Sequence, residues 1–265
     1  MIAFVTHLIG EFACLCSSFR GNTVPAVITA EASLRRAWAV LLLCCWHGRE
    51  AHAQLSGSAA LVSEHVYRGV SLSDGGPAPQ LNLTYDGADG WYVGAFASRY
   101  KLQGDRRSGT QYIAYAGHAQ RLSSGLTLDT GVSRYGYTPG ANLNYTEIFA
   151  SLALDNLNAR VSYSPDYLGL NASSAYTELN GSYVLGADVS LYLHAGCLSY
   201  LSGVPQYASR HTMDGRVGVG TAWAGWRWQA AWAKAQARGN GYSSWYGGRA
   251  PNSRGTLVLS ATRPF

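Results

Sequence analysis

The chain has 265 residues, only 13% of them charged, with a formal net charge of +5 and an abundance of glycine (31) and tyrosine (18). So mild a positive balance, with no recognition motif beside it, argues against nucleic acid as a partner. No run reaches the roughly 18 consecutive apolar residues that a membrane-spanning helix needs, so a low-charge chain of this kind enters a bilayer only as a closed barrel of strands.

Residues 1–33 are a mixed N-terminal extension, read either as the product of a mis-assigned start at Met1, with translation beginning near Ile28 or Leu34, or as an unusually long n-region. Residues 34–53, LRRAWAVLLLCCWHGREAHA, follow as a signal peptide: Arg35 and Arg36 form a basic n-region, Ala37 to Trp46 an apolar core, and Ala51-His52-Ala53 a small-x-small cleavage site. The paired arginines resemble a twin-arginine signal, but that route carries folded cargo, whereas a barrel must cross the inner membrane unfolded. The general secretory route is therefore expected. Lipidation at Cys44 is disfavoured by Leu43, which stands where a small residue is required. Cys14, Cys16, Cys44 and Cys45 all precede the cleavage site, and Cys197 alone cannot form an internal disulfide. Cys14-x-Cys16 is too closely spaced for zinc, and no other metal or cofactor motif is present.

From Gln54 onward the chain alternates short amphipathic runs with turn residues and shows no helical period. Twelve strands are predicted, at roughly 55–73, 77–86, 90–102, 110–122, 126–138, 143–155, 158–168, 174–185, 188–201, 212–223, 226–237 and 254–265. Tight links such as Asn156-Leu157 and Ala224-Gly225 alternate with longer ones such as Gln103–Gly109, Ser202–His211 and Ala237–Ser253. That alternation suits an all-β, single antiparallel transmembrane barrel over 54–265, with short turns at one end and long loops at the other.

The first of these strands includes Ser63–Asp74, SEHVYRGVSLSD, where period two puts Glu64 and Arg68 on one face and Leu61, His65 and Tyr67 on the other. The run Val62–Ser98, with Tyr67-Arg68-Gly69-Val70-Ser71 leading through a Gly/Pro loop into two paired strands, resembles the opening of the TorF family of porin-like outer-membrane proteins. The resemblance implies an outer-membrane barrel with no settled substrate.

Along the later strands one face is apolar, with Ile148, Leu152, Leu179, Leu191, Leu193, Trp226, Trp228 and Trp232, and is assigned to lipid. The other face carries the pore-lining candidates Glu147, Arg160, Glu178, His194, Asp214, Arg216 and Arg227, joined from the first strand by Glu64 and Arg68. Such charges line a channel or pair with one another and close it, since twelve strands make a barrel between filled and open sizes. At the mouth, Arg106, Arg107, Arg210, Arg249 and Arg254 favour anionic solutes or contact lipopolysaccharide phosphate. Tyr242, Trp245 and Tyr246 in the last loop stack on sugars or cover the opening. The final strand ends in Phe265, read as the signal for the barrel-assembly machinery.

A hydrolase would need a serine with a histidine base, and His65, His118, His194 and His211 are the candidates. None lies in a characteristic motif and no G-x-S-x-G occurs, so catalysis is not expected. His65 is assigned to the interface or lipid face and His194 to the lumen. The expected function is a passive or weakly anion-preferring outer-membrane channel for small solutes. A structural or binding barrel closed by charge pairs stands second, and a lipid hydrolase third.

Overall fold

The computed structural model describes residues 54–101, 108–123, 125–139, 141–186, 188–205, 208–236 and 255–265. The signal peptide, the N-terminal extension and the loop residues Arg106, Arg107, Tyr242, Trp245, Tyr246, Arg249 and Arg254 lie outside the described residues.

Strand β1 (Gln54–Val62) opens the barrel, and the chain then forms a small hairpin of β2 (Val66–Tyr67) and β3 (Val70–Ser71) before β4 (Ala78–Asp86). The wall continues with β5 (Trp91–Tyr100), β6 (Gly109–Arg121), β7 (Thr127–Thr138), β8 (Tyr145–Leu154) and β9 (Leu157–Ser164). It is completed by β10 (Ser174–Gly186), β11 (Val189–Tyr200), β12 (His211–Trp223), β13 (Trp226–Ala235) and β14 (Thr256–Pro264). Twelve of these strands pair with their neighbours in sequence, all antiparallel, and β1 pairs with β14 to close the ring. Ser58 faces Pro264 and Val62 faces Ser260 across that seam, and Phe265 and Gly57 exchange backbone hydrogen bonds of 3.0 and 2.9 Å. Closure leaves no unpaired sheet edge, a requirement for strands in hydrocarbon.

Side chains alternate across the wall as the period predicts. Leu55, Leu83, Val93, Ile148, Leu152, Val161, Leu179, Leu193, Val219, Trp228, Trp232 and Leu259 stand exposed on the outside, and Trp91, Trp223, Trp226, Tyr85 and Phe265 gather near the short turns. A continuous outer belt of this kind far exceeds the apolar patches a soluble monomer presents, and aromatics at one edge match a membrane interface. The barrel is therefore built to face lipid outward.

The first predicted strand departs furthest from expectation. It ends at Val62, and residues 63–77 turn into the barrel at the long-loop end as an inserted plug. Arg68 and Gly69 form the two-residue turn of the hairpin, both with positive φ (48° and 72°), the left-handed pair that tight hairpins require. Gly69 packs against Asp214 of β12 and Ala235 of β13, across the lumen from the β8 that holds Glu147, and a Cβ there would meet both side chains. The segment thus crosses the lumen. The seventh predicted strand also overruns, because the chain leaves β9 at Ser164 and makes a single 3-10 turn over Tyr167–Gly169.

Candidate functional site: the plugged lumen

The plug is seated by charge and aromatic rings. Arg68 donates through Nη1 and Nη2 to Oε1 and Oε2 of Glu147, at 2.7 and 2.8 Å, with side-chain exposures of 5% and 2%. This two-pronged geometry is the strong form of the guanidinium–carboxylate contact. Around it the guanidinium lies over three tyrosine rings: Tyr176 at 4.1 Å, Tyr67 at 4.9 Å and Tyr167 at 5.7 Å from their centroids. Tyr135 and Tyr145 stack in parallel at 4.3 Å beside them, and Tyr145 meets Tyr167 edge-on at 4.9 Å. Burial alone would lower the pKa of Arg68, but the Glu147 carboxylate and the tyrosine ring of contacts hold it well above its ordinary value, so the group stays charged.

The rest of the plug is anchored nearer its base. His65, assigned from sequence to the interface or lipid face, is instead buried inside, its Nδ1 3.0 Å from Ser98 Oγ and its ring edge-on to Phe96 at 6.2 Å. Burial brings His65 down to about 4, with the Arg99 carbonyl pulling weakly the other way. Glu64 also belongs to the plug rather than to a wall strand, and Thr256 Oγ1 donates to its Oε2 at 2.8 Å. Lys101 Nζ pairs with Asp74 at 2.9 Å on the outer side.

Below the plug the other candidates all point inward from the wall. Arg160 lies 3.7 Å above the Phe149 ring with Nε 3.9 Å from Glu178. His194 stands between Asn180 Oδ1 (2.7 Å from Nδ1) and Asp214 Oδ2 (3.0 Å from Nε2), with Glu178 Oε2 3.7 Å away. Tyr176 links this cluster to the plug, because its hydroxyl donates to Asp214 at 3.1 Å while its ring supports Arg68. Arg216 Nη2 donates to Gln229 at 2.9 Å, and Arg227 lies inward near the short-turn end. Among the described residues no group of His, Cys, Asp and Glu is arranged to hold a metal ion.

Exposure grades along the barrel axis. This holds on β10 to β13, where Tyr176 and Tyr200 at the long-loop end are buried while Ser182, Ser190 and Gln229 are half-exposed and Arg227 is exposed at the short-turn end; on β4 to β8 the inward side chains Thr84, Tyr92, Asp129 and Ser151 stay buried down to the short turns. Bulk is also uneven around the ring. Strands β5 to β8 send in Tyr92, Phe96, Ile113, Tyr115 and Phe149, whereas β12 and β13 send in Gly218, Gly220, Ala231 and Ala233.

Histidine chemistry is scattered. His118 faces outward against Trp91 at 4.9 Å, and His211 Nδ1 lies 2.9 Å from Ser199 Oγ on the outer face, where no carboxylate bonds it among the described residues. Arg210, expected at the mouth, is exposed there and its carbonyl accepts from Tyr200 N at 2.8 Å. The inward tyrosines escaped the sequence reading, although Tyr145 and Tyr176 share the parity of Glu147 and Glu178 and so had to fall on the lumen side.

No curated protein matches the chain. Among solved structures, the NanC porin aligns at 11% identity with a TM-score of 0.49, covering 79% of this chain and 98% of that one. An outer-membrane channel from Pseudomonas putida F1 aligns at 15% identity and a TM-score of 0.43, covering 82% and 97%. The outer-membrane protein OprD from Pseudomonas aeruginosa aligns at 12% and 0.36, covering 82% and 66%. The likenesses are distant, and the barrel assignment stands on the strand pairing. The TorF resemblance gains no specific support from them. The profile of a family described as a bacterial protein of unknown function (Gcw_chp) matches residues 47–263, and the chain belongs to that family.

Proposed function

We propose that the protein is an outer-membrane channel for small solutes that rests closed, its lumen shut by its own first long connection. The reading is carried by one observation: residues 63–77 fold into the barrel and seat Arg68 on Glu147 near the long-loop end. The graded exposure on the β10 to β13 side supports it, since inward side chains there are open at the short-turn end and buried toward the plug. In this reading the long loops face outward to lipopolysaccharide, and Phe265 with the last strand engages the assembly machinery.

The test is conductance. The processed chain, refolded into a planar bilayer, is expected to show only rare openings, while a variant with residues 64–76 replaced by a short Gly/Ser turn shows steady large steps. A deletion variant that is folded, by heat-modifiable migration, yet silent at every voltage removes the channel and leaves the closed structural barrel. Steady open steps in the native chain remove the plug.

A further inference from the structure

Resting on that channel reading, we infer that the wall pocket holding Arg68 is a binding site for small organic cations, best filled by a planar guanidinium, and that Arg68 is its tethered occupant. Four wall residues make the pocket independently of the plug: Glu147 from β8, Tyr145 from the same strand, Tyr176 from β10 and Tyr167 from the turn after β9. Together they present one carboxylate and several ring faces, the complement of a flat, delocalised cation. The pocket already holds such a group, in a two-pronged contact on Glu147 with Tyr176 and Tyr167 beneath it.

A second feature points to a ligand with more polar atoms than Arg68 supplies. The hydroxyls of the wall tyrosines Tyr145 and Tyr167 are buried there with no hydrogen-bond partner. Buried polar atoms left this way are costly, and a solute bearing further donors and acceptors around its cationic head would satisfy them. The plug therefore competes with its solute for one site. A tether of this length holds the arginine at an effective concentration in roughly the millimolar range, so a free cation displaces it only when abundant. The lumen would then open to the solute that fills the pocket.

The test uses the processed full-length barrel in detergent, with methylguanidinium as probe and calorimetry as readout. Arg68→Ala empties the pocket and is expected to bind the probe saturably. The double variant Arg68→Ala/Glu147→Gln should bind about tenfold more weakly, because the charged acceptor is gone. Tetramethylammonium, which has no N–H to donate, should bind Arg68→Ala more weakly than methylguanidinium. Absence of saturable binding to Arg68→Ala, or equal binding by the single and double variants, overturns the site. Should Arg68→Ala fail to fold, the native chain serves: millimolar methylguanidinium should speed tryptic cleavage at Arg68 severalfold over equal sodium chloride, and no change overturns the inference. The assay is independent of conductance. A variant that conducts without binding removes the site and keeps the channel, and one that binds without conducting does the reverse.

Discussion

Glu147→Gln removes the charge that holds the plug while changing almost no volume. In the native protein Glu147 takes two hydrogen bonds from Arg68 at 2.7 and 2.8 Å, with both groups almost fully buried. Removing one member of a buried pair leaves an uncompensated charge and costs about 3–5 kcal/mol. The wall does not bear this cost, because β8 stays laddered to β7 and β9 over most of its length. Instead the docked plug loses stability relative to an undocked one whose guanidinium has returned to water. At about 1.4 kcal/mol per tenfold, the ratio of docked to undocked plug falls by about two to three and a half orders of magnitude. Trypsin reports this directly, since Arg68 is itself a cleavage site. The native barrel is expected to resist cut after Arg68, and Glu147→Gln to be cut at least a hundredfold faster, while heat-modifiable migration shows the barrel intact. Replacing both partners, Arg68→Met with Glu147→Leu, leaves no orphan charge and is expected to stay closed in a bilayer. An intact Glu147→Gln barrel that resists trypsin as well as the native one refutes the role of the ion pair.

Acid should loosen the plug. The pKa of docked His65 is about 4, below the ordinary 6.5, so the undocked form takes up the proton first and docking is at full strength only above pH 6.5. The loss grows as pH falls toward 4 and reaches about 3 kcal/mol, read as rising open probability in bilayers, and His65→Gln should flatten the profile. The ring faces Ser98, Phe96 and the Arg99 carbonyl, with no charged side chain contacting it among the described residues. Gly69→Ala should open the barrel more than Gly75→Ala: both positions have positive φ (72° and 70°), but only at Gly69 would the new methyl meet the wall, 2.8 Å from Asp214 Cβ. The Gly75 change should cost only about 1 kcal/mol, so comparing tryptic protection of the two variants isolates the clash. Finally, Val219→Arg on the exposed outer belt should weaken refolding into bilayers by about 2–4 kcal/mol, while Ser182→Arg on the lumen side should leave it nearly unchanged. Similar urea midpoints for these two would reverse the assignment of faces.

The faces were legible because alternation is a local property. A wall strand between lipid and lumen must switch character at every residue, and Ile148, Leu152, Glu147 and Ser151 in β8 record that switch without reference to any neighbour. Turn lengths carried the topology for the same reason. The seating of Arg68 was not legible, because Glu147 is far along the chain and no period relates the two. The tyrosines were hidden differently. Counted as general barrel aromatics, they gave no sign of being gathered on one side of the lumen until β7, β8 and β10 were set in register.

The segment 63–77 shows why an alternating pattern can mislead. In SEHVYRGVSLSD the charges Glu64 and Arg68 alternate with His65 and Tyr67 as a wall strand would, but the pair Arg68-Gly69 is also a two-residue hairpin turn. The hairpin prevails because β4 pairs with β1 from Ala78 back to Asp86, leaving residues 63–77 no wall partner to extend along. Once inside, the segment is held mostly by side chains. Beyond Ser63 and within the described residues, its main chain meets the wall where Leu72 O accepts from Lys101 N at 2.8 Å and Pro77 O accepts from Arg99 Nη1 at 3.0 Å, whereas the ring of twelve strands closes through its own ladders. Undocking the plug therefore breaks contacts that the barrel does not need. A segment required for the fold would be woven into the ladder, but this one is fixed by an ion pair, a neutral histidine and aromatic rings, each of which a proton or a competing cation can displace.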